Sequence, residues 1–166
     1  MSGVDVRRLR AGEIIAGASA ALLLIFMFAL KWYALNSKLS ETAGKGLGQP
    51  TAWNGWNGLE TLRWLLLVTI VAALALTYFQ AAREGSGIPV TLSLIVTVLG
   101  LLSTIALIYR VLINTPAPTL DQRAGAYLGL VATIGIAYGG YKSMREEGGT
   151  DPATLDIETV RLQSGP

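Results

Sequence analysis

Four stretches of this chain contain no charged side chain: Ile14 to Leu30, Trp64 to Ala82, Gly85 to Tyr109 and Ala124 to Tyr141. At about 1.5 Å rise per residue they measure roughly 26, 28, 38 and 27 Å as helices, against a hydrocarbon layer of about 30 Å. In lipid every backbone N–H and C=O needs an internal partner, and stretches this rich in Leu, Ala, Val and Ile, apolar on all sides, meet that need as helices. The expected fold class is all-α: a polytopic membrane protein built as a four-transmembrane-helix bundle. The helices are expected over about 12–35, 59–82, 88–112 and 121–143. Gly85-Ser86-Gly87 supplies a helix stop and Pro89 suits the first turn of the next helix, which makes the second and third helices a tight hairpin.

Local signals set the ends. Asn57-Gly58-Leu59-Glu60 and Thr119-Leu120-Asp121-Gln122 have capping-box spacing and are expected to start the second and fourth helices. Arg7, Arg8 and Arg10 before an apolar run imitate a secretion signal. The run is long for that role, no small-x-small cleavage site follows, and the first helix is expected to be retained, with Lys31-Trp32-Tyr33 as an interfacial anchor. Residues 1–11 then form a basic N-terminal segment and 12–143 the transmembrane domain. Within it, 36–58 reads as a flexible Gly-rich outer loop, and 144–166 as a disordered tail.

Composition removes most function classes. The chain has 13 Lys and Arg against 11 Asp and Glu, a net charge of +2, which does not suit a nucleic-acid partner. It has no Cys and no His, so it lacks disulfides, a thiolate nucleophile, an imidazole base and the usual zinc and haem ligands. No catalytic residue, cofactor or metal is expected. Nor does any ionisable residue fall at a bilayer midplane, where proton-coupled transporters and voltage sensors need one. Small multidrug transporters have four helices and a carboxylate in the first, but Glu13 opens its helix, where it stabilises the N-terminus. The Trp-rich first loop is similar to that of claudin-like tetraspan proteins, without their cysteine pair.

An even number of spans puts both termini on one side. Lys and Arg divide almost evenly between the two sides, but Arg7, Arg8 and Arg10 cluster directly before the first helix, so the termini are expected to be cytoplasmic. Trp32, Trp53, Trp56 and Trp64 all fall on the opposite, outer side, while Tyr78, Phe79, Tyr138 and Tyr141 form the belt on the termini side.

Three constellations carry the candidate sites. Ser93, Thr97, Gly100 and Thr104 share one small, polar face of the third helix. Gly125, Gly129 and Gly139 form a comparable stripe on the fourth. In lipid such faces pack helices closely, and the expected role is a helix-packing seam within the bundle, with a homo-oligomer seam or a narrow polar pathway as the alternatives. Lys31, Arg63, Arg110 and Arg123, with Glu60 and Asp121, lie at helix ends on the outer side. Glu60 and Arg63 are i,i+3 neighbours, and snorkelling and local pairing explain much of this rim; an anionic headgroup is the functional alternative. Trp53 and Trp56, in the near-repeat Trp53-Asn54-Gly55-Trp56-Asn57-Gly58, read as headgroup-layer anchors or as rings for stacking a ligand.

From Trp53 onward the stretches WNGWNGLETLRWLLLV, GIPVTLSLIVTVLGLLSTIALIYRVLINTP and DQRAGAYLGLVATIGIAYGGYKSMREE follow an order that resembles a family of small four-span integral membrane proteins of actinobacteria. The resemblance rests on Pro89, Tyr109, Arg110, Pro116, Asp121, Gly125, Gly129, Gly139, Gly140, Met144 and Arg145. It implies an actinobacterial plasma membrane and no particular activity. The expected function is a non-enzymatic subunit, scaffold or assembly factor of a cell-envelope complex, with membrane lipids and another membrane protein or a second copy as partners. The alternative is a lipid- or small-solute-binding protein using the cationic outer rim.

Overall fold

A computed structural model describes residues 9–36, 51–82, 90–113 and 120–148. In chain order the elements are α1 (Ala11–Ala29), β1 (Lys31–Leu35), β2 (Ala52–Asn54), a short α2 (Gly55–Gly58), α3 (Leu62–Ala82), α4 (Val90–Ile108) continued by a π-helical turn (Tyr109–Ile113), β3 (Leu120–Gln122) and α5 (Ala124–Gly148). The chain is mostly helical, and α1, α3 and the 91–113 segment are long and apolar enough to cross a membrane. The fourth long helix, α5, is diluted by Gly125, Gly129, Gly135, Gly139 and Gly140 and by Tyr127, Tyr138 and Tyr141.

The long helices pack in a ring, α1 against α3, α3 against α4, α4 against α5, and α5 back against α1. Their interior grades from small to large. Around Gly12, Ala16, Gly139 and Ser143 the backbones of α1 and α5 touch, whereas Leu23, Met27, Leu66, Ile70 and Leu107 fill the other half. Large apolar side chains point outward instead: Ile25, Val68, Val71, Leu101, Ile105 and Val131 are each half or more exposed. A water-soluble bundle distributes these residues the other way round.

The expected all-α class needs correction, because β2, β1 and β3 form a three-stranded antiparallel sheet with β1 in the middle. Tyr33 faces Trp53 on one side and Gln122 on the other. The first helix therefore stops at Ala29 rather than 35. At about 1.5 Å per residue its 19 residues already cover roughly 28 Å, one hydrocarbon thickness. Its last carbonyls are capped by side chains: Trp32 Nε1 donates to Phe26 O at 2.8 Å and Asn54 Nδ2 to Phe28 O at 3.3 Å.

Other boundaries shift for similar reasons. Asn54, not Asn57, is the working cap. Its side chain accepts from Asn57 N at 3.0 Å and starts α2, so 51–58 is ordered where the sequence pattern predicts a flexible loop. The second long helix begins at Leu62, not 59, and Glu60 lies exposed before it. The second capping-box pattern fails as well, because Leu120–Gln122 pairs as β3 and α5 starts at Ala124. At its far end α5 continues through the expected start of the tail to Gly148. The expected tight hairpin over 83–89, residues 1–8 of the basic segment with Arg7 and Arg8, Pro116, the 37–50 part of the expected outer loop and the 149–166 part of the expected tail lie outside the described residues.

Candidate functional site

The sheet end of the bundle gathers the outer-rim residues, but in two separate places. On one side, Arg63 is held by aromatic rings. Its guanidinium carbon stands 5.0 Å from the centroid of Trp56 and 5.6 Å from that of Trp64. Trp56 in turn stacks on Phe28 with centroids 5.3 Å apart and meets Trp64 edge-on at 5.9 Å. The Glu60–Arg63 pair expected from i,i+3 spacing is replaced by this cation–π contact, which needs no desolvated carboxylate. Arg110 belongs to the same side. It sits in the π-helical turn, close enough to Tyr33 for its charge to favour the phenolate.

Tyr33 itself is fully buried, its ring is packed against Gly58, and its hydroxyl has no hydrogen-bond partner among the described residues. Burial raises the phenol above its ordinary value, and the Arg110 charge opposes this in part. The last carbonyls of the π-helical turn have no intrahelical partner, and β3 supplies one of them: Gln122 Nε2 donates to Val111 O at 2.9 Å.

On the other side, Lys31 and Arg123 line a groove of about 640 Å³. Its walls are Ala29, Leu30, Ala34 and Leu35 from the α1–β1 segment, Thr51 and Ala52 entering β2, and Ala124 and Gly125 opening α5. Both cations are exposed, and no carboxylate lines the groove. Asp121 is exposed on β3 opposite Ala34 in the sheet, so it does not begin a helix as its spacing predicts. Trp53 is half-buried in β2.

The glycine stripe of α5 splits into different contacts. Gly139 faces the backbone of Ala16 and Gly12 on α1. Gly125 and Gly129 face no helix; with Gly55 they form a socket for the indole of Trp32, which is fully buried. Lys31-Trp32-Tyr33 is therefore no interfacial anchor: two of its three side chains are core. The Ser/Thr face of α4 turns inward. Ser93 Oγ lies 3.3 Å from Ser143 Oγ, Gly100 sits against the backbone of Ala137, and Gly140 contacts Thr97. Thr97 and Thr104 donate to their own helix at Ser93 O and Gly100 O, 2.7 and 2.8 Å away. These contacts lie inside one copy of the chain.

Two placements escape sequence reasoning. The Trp32 socket had a signal, Gly at 55, 125 and 129, but three glycines distant in sequence do not name the ring that fills them. Thr69 and Ser103, whose hydroxyl oxygens stand 2.7 Å apart in the α3–α4 contact, are single polar residues in apolar runs. Glu13 is buried at the other end, its Oε2 accepting from Arg10 N at 3.0 Å, in the helix-opening role its position predicts. Comparison with protein-family models, curated proteins and solved structures finds no match.

Proposed function

We propose that this chain is a four-span integral protein of a bacterial plasma membrane, with both termini cytoplasmic, acting as a non-enzymatic subunit, scaffold or assembly factor of a cell-envelope complex. An actinobacterial origin belongs to the same proposal and rests on the sequence resemblance. The observation that carries the reading is the inverted distribution of side chains. Gly, Ala, Ser and Thr lie where α1, α4 and α5 meet most closely, and large apolar side chains that include Ile25, Val71, Leu101, Ile105 and Val131 cover the outside as well as the Leu-rich half of the interior. In lipid, close backbone approach and dispersion hold helices together, while outward apolar residues cost nothing. α5 fits as a fourth span because it is a central packing helix: its glycines give α1 and α4 their closest approach, and its exposed Leu128, Val131 and Ile134 suit acyl chains.

A scaffold role is supported by the close backbone contacts that α5 makes with α1 and α4. The outward face of α4, with Leu94, Val98, Leu101, Ile105 and Ile108 at helical spacing, offers another membrane helix a continuous apolar stripe. The test is crosslinking in cells followed by purification in mild detergent. A reproducible crosslinked partner, or a defined homo-oligomer, is the expected result. A sharp monomer with no recurrent partner would overturn the scaffold reading.

A further inference from the structure

We infer that the groove between β1, the entry to β2 and the start of α5 holds the headgroup of one anionic phospholipid, with Lys31 and Arg123 as its counter-charges. The inference rests on the membrane-spanning reading and goes beyond the scaffold role. Four observations converge on it. The volume, about 640 Å³, is that of a small-molecule site. The lining contains two cations and no carboxylate; Asp121, across the sheet from Ala34, is the nearby described acid, and it leaves the surroundings net positive. Apart from Thr51 the other lining side chains are small or apolar, Ala29, Leu30, Ala34, Leu35, Ala52 and Ala124, which suits the glycerol and upper acyl carbons attached to a phosphate. Finally, the groove opens beside Ala29 and Leu30, where α1 ends after about one hydrocarbon thickness, so it lies at headgroup depth.

The two halves of the rim differ in what they leave available. Arg63 is committed to the Trp56 and Trp64 rings and Arg110 lies beside buried Tyr33. Lys31 and Arg123 are exposed, and neither forms an ion pair with a described carboxylate. Two exposed cations lining one groove favour a phosphate that carries net charge, as in phosphatidylglycerol, over a zwitterionic headgroup in which choline offsets it.

The full chain, equilibrated with equimolar phosphatidylglycerol and phosphatidylcholine in mild detergent, is examined by native mass spectrometry. One retained phosphatidylglycerol per chain is expected. Each cation near a membrane surface is worth about fivefold in affinity for anionic lipid, so Lys31→Gln with Arg123→Gln should lower retention by up to about thirtyfold. The charge-matched pair Arg63→Gln with Arg110→Gln, at the same end of the bundle, should retain the lipid. If the double groove variant loses wild-type helicity, Arg123→Gln alone, an exposed change, should still cost about fivefold. Equal retention of the two lipids by the wild type overturns the inference. So does equal loss in the two charge-matched pairs, which would mean diffuse attraction by snorkelling cations. Displacement of the lipid by inorganic phosphate would assign the groove to a free anion instead. Each of these outcomes leaves the protein in the membrane, whereas release of the wild type by an alkaline wash would end the spanning reading itself.

Discussion

The indole of Trp32 lies so close to Gly129 that a β-carbon at position 129 would overlap its six-membered ring. Gly55 sits over the same indole, where a β-carbon would stand 2.7 Å from Cε2, and Gly125 borders it at Cδ1 at the same distance. One side chain from the first residues after α1 is thus gripped by α2 and α5, and its N–H closes the end of α1 through Phe26 O. The ring ties the sheet to the bundle.

Gly129→Ala should therefore destabilise the protein by about 1–3 kcal/mol, the usual cost of overpacking a filled core. Unfolding by sodium dodecyl sulfate, followed by Trp fluorescence, measures it. An unchanged midpoint would mean that the indole moves aside freely and that the socket is not a tight one.

The glycines of α5 should differ among themselves. A β-carbon at Gly139 meets the backbone of Ala16 and Gly12, which cannot yield without separating two helices. At Gly135 it meets only the Ser19 side chain, which can change rotamer. Gly139→Ala should cost at least about 1 kcal/mol more than Gly135→Ala in the same unfolding titration. Equal costs would contradict the placement of the α1–α5 contact.

The membrane-length helices were legible in the sequence because lipid leaves an apolar run few choices: it must satisfy its own backbone, and charges must stay at its ends. The sheet was not. Lys31 to Leu35 continues an apolar run and by local pattern extends the helix. It becomes a strand because residues 52–54 and 120–122, far away in sequence, supply its partners, and pairing of such short segments leaves no local mark. The rim was legible as a set of charges at one end, but not as two places. What separates Arg63 from Arg123 is the identity of their neighbours, aromatic rings for one and an open groove for the other.

Tyr33→Phe should leave stability unchanged or raise it by up to about 1 kcal/mol, because the hydroxyl it removes is buried without a partner. The pH dependence has a definite sign. Burial raises the folded-state pKa of Tyr33 above the ordinary 10.0, so the folded state keeps a proton that the unfolded state releases. The contribution is complete below pH 10.0 and is lost as pH rises through the raised value. A spectrophotometric alkaline titration should show a tyrosine step above pH 10.0, and Tyr33→Phe should remove that step. A late step that survives the substitution would place the buried phenol elsewhere.

Thr69 Oγ1 donates to Leu65 O at 2.9 Å, so the 2.7 Å contact with Ser103 is a bond donated by the serine. Its coupling in a Thr69→Val and Ser103→Ala double-mutant cycle should be about 0.6 kcal/mol, the usual worth of such a bond between membrane helices. Additive single effects would mean that the two hydroxyls do not pair.

The four-span arrangement is tested most directly by cysteine labelling, which is clean because the chain has no cysteine of its own. A single cysteine is placed at Lys45, between the first two long helices, or at Gly148, at the end of α5, and intact cells are treated with a membrane-impermeant thiol reagent. If α5 crosses the membrane, the two positions lie on opposite sides: Lys45→Cys reacts, and Gly148→Cys reacts only after the cells are permeabilised. If α1, α3 and α4 alone cross, both positions lie on one side and react alike, and that result would contradict the account.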